Sequence, residues 1–287
     1  MFSAILYKFG AYLALHLPKQ ITLFIANLLA DIQYATRFKV RRTVMCNLQI
    51  IHDDNFSQQQ LRQLTRKIFR SFARSIFLFL RSPLLKREDL RNVGNAQDFA
   101  ELTRKLGNSG FIIATPHLGP WEVGGLWLAA NGLTVNTVAL DHTAEAVTAF
   151  FNQRREHSGL KIFPHRNSFH NLKDALNQGE CVALLVDRGY GGASARSRWF
   201  GRELELPIGH ILLSIRTCKP VLTGAFLFNE DGGFNCEVKG LYYPDLLLTE
   251  EEAVEQMQTR CLADFESLIK EHSDQWFHFL PLETSMK

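Results

Sequence analysis

The chain has 287 residues, 46% of them hydrophobic, which is enough for one large core or at most two modest ones. Its formal charge of +3 is uneven, +10 over residues 1–91 and −7 over the remainder, so the basic end faces something anionic. A bilayer surface or lipid phosphates meet that demand; nucleic acid would as well, but no nucleic-acid fold motif accompanies the charge.

Phe2 to Ala30 is strongly apolar, but Lys8, His16, Pro18, Lys19 and Gln20 divide it into two pieces too short to span a bilayer comfortably. The start lacks a clustered basic region and the apolar stretch ends without a small-x-small cleavage site, so a cleaved signal peptide is not expected. We expect an interfacial or hairpin-like anchor. A single tilted spanning helix, or a helical pair packed on the domain, stays open as an alternative. Arg37, Lys39, Arg41 and Arg42 follow at once, as they would on the cytoplasmic side of a membrane.

Ser57 to Gln60 forms a capping-box pattern before a helix running to about Arg81, with Leu61, Leu64, Ile68, Phe72, Ile76, Phe79 and Leu80 at helical spacing. Arg62, Arg66, Arg70 and Arg74 recur every four residues beside them. This stripe either rests on anionic lipid or forms a solvated face over an ordinary core.

After Pro83 strands and helices alternate. The patterns predict helix 96–106, strand 110–115, helix 120–130, strand 134–140, helix 143–157, a short strand near 160–163, helix 168–177 and strand 181–186. Helix 207–216 comes after a loop, and strand 220–228 then leads through Asp231-Gly-Gly233 to strand 234–239. Thr249 to Glu252 caps a final helix to about His272. That order predicts an α/β fold: a mostly parallel sheet flanked by helices, an antiparallel hairpin at its edge, and an N-terminal helical membrane-associating region. We divide the chain into residues 1–91 for that region and 92–287 for the α/β domain.

The chemistry concentrates in Gly110 to Gly125. An apolar strand, Phe111 to Ala114, runs into His117; Pro120 then opens a helix with Glu122 in its first turn. His117 and Glu122 therefore stand at the crevice edge of an open α/β sheet, where an imidazole can act as general base with the carboxylate fixing its tautomer. A histidine that merely bonds a nearby helix end has the same spacing. No serine or cysteine accompanies them in the loop, so the attacking hydroxyl would come from the substrate. Asp187 and the Gly189-Tyr-Gly-Gly192 turn end strand 181–186 at the same sheet edge, and Asp141 and His142 end strand 134–140 there. Trp199, Phe200 and Gly201 read either as an apolar lip beside the site or as core.

The segment His117-Leu-Gly-Pro-Trp-Glu122, written H-x4-E, resembles the signature of the bacterial lipid A late acyltransferases, a family related to the phosphatidylinositol mannoside acyltransferases. Arg41-Arg-Thr-Val-Met-Cys-Asn47-Leu48, and Trp199-Phe-Gly201 followed by Pro207-Ile-Gly209, resemble two further family segments in the same order. The resemblance implies a glycerolipid acyltransferase-like fold and an O-acyltransferase at the cytoplasmic face of the bacterial inner membrane. It implies His117 and Glu122 as catalytic residues. Arg155, with its Arg-x3-Gly spacing, would contact an anionic part of the substrate; Asp187, Arg154, Trp199, Phe200 and Gly201 join it as substrate-binding candidates. Arg188 departs from the family's glutamine-like position, and Trp276-Phe-His-Phe279 lacks the usual basic run, which weakens a claim for a highly phosphorylated acceptor.

The expected reaction moves a fatty acyl group from a thioester, on acyl carrier protein or coenzyme A, to a hydroxyl of a lipid A-like glycolipid or lysolipid. Oxyanion stabilisation would come from a backbone N–H near the helix start or from Arg155. The thioester is a co-substrate and no cofactor or metal is expected, since one histidine and scattered carboxylates make no ligand set. The cysteines, Cys46, Cys181, Cys218, Cys236 and Cys261, are odd in number without a C-x-x-C pair, as in reducing compartments. Hydrolysis with water as acceptor, and a non-catalytic lipid-binding scaffold, are the competing functions.

Overall fold

Apolar segments of differing period make the elements; Pro18 breaks the first apolar stretch into two helices, and Arg37 separates the second helix from the third. A computed structural model describes residues 2–85, 96–139, 145–165, 168–189, 191–230 and 233–282. Asp141, His142 and the boundary drawn between residues 91 and 92 lie outside the described residues. Helices α1 (Phe2–His16), α2 (Lys19–Thr36) and α3 (Phe38–Ile51) precede α4 (Gln58–Leu80). Ser57 caps α4 as expected: its Oγ accepts from the Gln60 N–H at 3.3 Å while Gln60 Oε1 accepts from the Ser57 N–H at 2.9 Å.

Then α5 (Ala96–Leu106), β1 (Phe111–Thr115), α6 (Trp121–Ala130), β2 (Val135–Ala139), α7 (Glu145–His157), β3 (Leu160–Pro164), α8 (Ser168–Asn177) and β4 (Cys181–Leu185) alternate as predicted. The chain continues through β5 (Ser194–Trp199), β6 (Arg202–Pro207), α9 (Gly209–Thr217), β7 (Val221–Phe228), β8 (Phe234–Tyr242) and α10 (Glu250–Glu271). The sheet order is β3-β2-β4-β1-β7-β8, parallel from β3 to β7 and antiparallel at the β7–β8 edge. Ile112 and Ala114 of β1 enter one core with α3, α4, α9 and α10, whereas Phe111 and Ile113 enter a second with α1, α5 and α6. A sheet covered on both faces accounts for the unbroken apolar run of β1.

The β5–β6 hairpin is not foreseen by the sequence reading, which leaves 187–206 as loop and starts a helix at 207, where Pro207 in fact ends β6 and α9 begins at Gly209. The hairpin strands, Ser194-Ala-Arg-Ser-Arg-Trp199 and Arg202-Glu-Leu-Glu-Leu-Pro207, alternate charged and apolar residues over a two-residue turn. The turn is Phe200-Gly201, with φ of 48° and 70°; a phenylalanine in the left-handed region carries none of the usual Asn-Gly signal.

Helices α3 and α4 belong to the first core through Val44, Leu48, Ile51, Leu61, Ile68 and Phe69. The arginine stripe of α4 is used in packing: Arg66 and Arg70 both bond Asp31 of α2, and Arg74 lies 4.9 Å from the centre of the Phe228 ring. Among the described residues no helix is long and apolar enough to cross a membrane, so neither α1 nor α2 is a span. Their faces are reversed from those of an ordinary surface helix. Ala11, Ala14, Ala26 and Ala30 are buried, and Leu6, Phe9, Phe24, Leu28 and Ile32 are exposed. Small side chains let the backbones settle closely on the body, and the bulky apolar ones are left facing outward.

Candidate active site

Register brings the first two polar groups together. Strands β1 and β4 pair Thr115 with Leu185, and two residues beyond that pair stand His117 and Asp187. His117 Nδ1 lies 2.5 Å from Asp187 Oδ1, with both residues buried. The aspartate accepts at Nδ1, so that nitrogen carries the proton and Nε2 keeps its lone pair. Trp276 Nε1 donates to the other carboxylate oxygen at 3.0 Å, and His278 Nδ1 lies 3.8 Å from it. Burial alone would raise the Asp187 pKa. The His117 charge and hydrogen bond, helped by His278 and Arg188, outweigh it and hold the group well below the usual carboxylate range.

The loop carrying His117 is pinned by main-chain bonds. The Phe277 N–H donates to the His117 carbonyl at 2.9 Å, and the Gly119 N–H donates to the Gln275 carbonyl at 2.9 Å, so residues 275–277 run antiparallel beside 117–119. Gly119 has φ of 61°, and a Cβ there would come 1.9 Å from the Phe226 carbonyl oxygen; only glycine fits. Asn47 of α3 fixes the far end of this strap. Its Nδ2 donates to the carbonyls of His278 and Leu280, and its Oδ1 accepts from the Leu282 N–H.

Glu122 is not the carboxylate that orients His117, which corrects the expectation drawn from their spacing. It binds Arg155 in a two-pronged pair, Nη2 to Oε1 at 2.5 Å and Nε to Oε2 at 3.0 Å. The pair is largely buried, and Asn152 Oδ1 takes a further Arg155 donor at 3.0 Å. Burial works against the guanidinium charge, yet the Glu122 carboxylate leaves the Arg155 pKa raised. Chain proximity favours residues one helical turn apart, but the first turn of α6 aims Glu122 toward α7, and the adjacent strand supplies the imidazole's partner instead.

His117, Trp121, Glu122 and Arg155 line a cleft of about 980 Å³ whose walls are otherwise rich in apolar side chains, among them Phe72, Phe151, Leu184 and Phe277. Beside it lies an apolar chamber of about 120 Å³ between α6 and the sheet, lined by Ile113, Leu128, Val135, Leu160 and Leu222. The two spaces share Trp121, Glu122, Arg155, Val138, Leu184 and Leu185 as walls. Gly124 and Gly125 of α6 border the chamber, and side chains there would press on Phe226 and Leu160.

The other sequence candidates sit elsewhere. Arg154 turns from the cleft, its guanidinium carbon 4.1 Å from the Phe150 ring centre. Trp199 and Phe200 are buried against Trp276, ring centres 6.1 and 6.0 Å away, and line neither space. They are core behind the residue that bonds Asp187, while Gly201 is exposed at the hairpin turn. Sequence reasoning did not assign Trp276 or His278 to the site. The one available signal was an indole and an imidazole in an otherwise apolar run near residue 280.

A family model of the bacterial lipid A biosynthesis acyltransferases matches residues 1–282. The phosphatidylinositol mannoside acyltransferase of Mycobacterium tuberculosis is 28% identical over 177 residues, 60% of this chain and 54% of that protein. Its counterpart in Mycolicibacterium smegmatis is 28% identical over 178 residues, 60% of this chain and 56% of that protein. The match thus spans little more than half the length of these curated relatives. The chain belongs to the bacterial lipid A biosynthesis acyltransferase family and is related to the phosphatidylinositol mannoside acyltransferases.

Proposed function

We propose that this acyltransferase moves a fatty acyl group from a thioester, on acyl carrier protein or coenzyme A, to a hydroxyl of a lipid A-like glycolipid or lysolipid, with His117 as general base. The observation that carries the reading is the hydrogen-bonded run Trp276, Asp187, His117, ending on a cleft with a mainly apolar wall. Nε2 of His117 takes the proton of the acceptor hydroxyl as its oxygen attacks the thioester carbonyl. Asp187 stabilises the imidazolium that forms. Collapse of the tetrahedral intermediate breaks the carbon–sulfur bond, and the departing thiolate recovers the proton from the imidazolium. A thioester is reactive enough to need no protein nucleophile, and among the described residues no hydroxyl or thiol is hydrogen-bonded to His117.

For the oxyanion, the Gly119 and Trp121 amides are already committed to the Gln275 and Gly119 carbonyls. The amides of Glu122 and Val123, left over in the first turn of α6, are the donors we assign, with Arg155 adding positive potential. The acyl chain would lie along the apolar wall with its tip toward the chamber. The outward apolar face of α1 and α2, beside Arg37, Lys39 and Arg42, supports attachment to an anionic membrane surface, which would be the cytoplasmic face of the inner membrane.

The test is transfer from a palmitoyl thioester, presented on either carrier, to a total bacterial lipid extract, read by mass spectrometry. Wild type should acylate a defined lipid and His117→Ala should not, with its circular dichroism unchanged. Fatty acid release that ignores the acceptor would make the protein a hydrolase, and unaltered transfer by His117→Ala would remove the mechanism.

A further inference from the structure

One end of the cleft carries polar groups that do not touch the His117 imidazole, although the charge of one of them, Arg188, also helps to hold the Asp187 carboxyl ionised. Arg188, His165, Ser168, Gly192 and His210 all line it, contributed by three separate segments. Those segments are tied together. The Ile208 N–H donates to the Ala193 carbonyl at 3.0 Å, Ser194 pairs with Pro207, and His165 stands 3.8 Å from where a Gly192 Cβ would be.

Two of these groups have unused donors. His210 is 2% exposed, and neither ring nitrogen has a hydrogen-bond partner. A neutral imidazole always carries one N–H, so an unmet donor is locked into the fold at a cost ordinarily avoided. Arg188 donates one terminal nitrogen to the Phe277 carbonyl, but its Nε is buried without a partner, and no carboxylate among the described residues lies within ion-pair distance of it. The other arginine of the cleft, Arg155, is already neutralised by Glu122. His210 also occupies the first turn of α9, where the Ile211 and Leu212 amides donate to the Ile208 carbonyl but the Gly209 and His210 amides have no partner within the helix, and the helix dipole favours an anion.

We propose that Arg188, His210 and the N-terminus of α9 form a phosphoryl-binding subsite in the cleft, distinct from the His117 and Asp187 pair. On the acyl-transfer reading, which this rests on for the owner of the phosphoryl group, the phosphate belongs either to the carrier's phosphopantetheine arm or to the acceptor headgroup. Both present the same tetrahedral anion to the same donors. Arg188 supplies a planar pair of N–H groups that a glutamine could not, which gives its departure from the family pattern a specific use.

Binding separates the subsite from turnover. Calorimetry on the full chain in detergent would compare 4′-phosphopantetheine with pantetheine, and glycerol 1-phosphate with glycerol. The phosphorylated member of at least one pair should bind on the order of tenfold more tightly, as expected for charge-assisted hydrogen bonds. Arg188→Gln should abolish that preference and Arg188→Lys should retain part of it. A preference confined to the first pair assigns the phosphate to the donor, and one confined to the second assigns it to the acceptor. Equal affinities within both pairs, or a preference untouched by Arg188→Gln, overturn the subsite. The His210 ring proton resonances should also shift on saturation with inorganic phosphate, and phosphate binding without that shift puts the anion elsewhere. Failure of acyl transfer with the phosphate preference intact would sink the reaction and leave the subsite standing.

Discussion

His117 and Asp187 are 70 residues apart in the chain and 2.5 Å apart in space, because each stands two positions past one register pair of adjacent parallel strands. Strand pairing, not helix spacing, sets the imidazole's tautomer. Asp187→Asn keeps the shape but offers an amide whose N–H₂ group competes for the position facing Nδ1. Transfer should fall on the order of a thousandfold with little change in KM. A loss of less than tenfold in kcat would show that the aspartate does not set the base.

The same carboxylate makes a pH prediction. Its folded pKa is depressed, so its stabilising contribution is present above the unfolded value of about 4 and is lost as pH falls through the folded value. The stability gap between wild type and Asp187→Asn should be flat from neutral pH to about pH 5 and narrow below about 4. Denaturant melts across that range measure it. A gap that widens in acid would reverse the sign and refute the assignment.

Glu122 and Arg155 should behave as a unit. Removing one partner of a buried pair strands the other charge, so Glu122→Gln should cost about 3–5 kcal/mol of stability. Glu122→Gln combined with Arg155→Met should cost less than Glu122→Gln alone. Additive losses in that cycle would mean that the pair is not coupled in the folded protein.

Trp276→Phe removes the indole N–H that holds the second Asp187 oxygen and keeps much of the ring. We expect a loss of about 1 kcal/mol, seen as a several-fold drop in kcat with KM preserved. Asn47→Ala, which frees the strap carrying Trp276, should lower both kcat and melting temperature. Equal activity of Trp276→Phe and wild type would remove the tryptophan from the site.

The outward face of α1 and α2 can be tested without turnover. Phe24→Asp together with Leu28→Asp places charge among exposed side chains and should abolish sedimentation with vesicles containing anionic lipid, while leaving the fold intact. Binding by wild type should weaken as salt rises from low to physiological strength. Binding indifferent to both changes would place the membrane contact elsewhere.

Much of the architecture was legible because its signals are local. Continuous apolar runs gave β1 and β4, and the patterns at Ser57 and Thr249 gave α4 and α10 with both capping boxes in place. Asp187 stood out because it ends an apolar strand run, and Arg155 because its Arg-x3-Gly spacing resembles that of the family. Their partners did not, since a pairing between β1 and β4 or between α6 and α7 leaves no periodic trace in either segment. Trp276 escaped for the same reason: its carboxylate lies 89 residues earlier. The β5–β6 hairpin escaped because its turn is built from phenylalanine.

The strap that holds Trp276 beside Asp187 also sets an order of events during translation. Asn47 precedes by more than 230 residues the carbonyls of His278 and Leu280 that it binds, so its amide exchanges water for these partners only after they have been made. Until residues 276–282 leave the ribosome, Asp187 lacks its indole donor and the His117 loop lacks its main-chain neighbour. Chemistry at His117 therefore depends on residues 276–282 as much as on the two strands that carry the imidazole and its carboxylate.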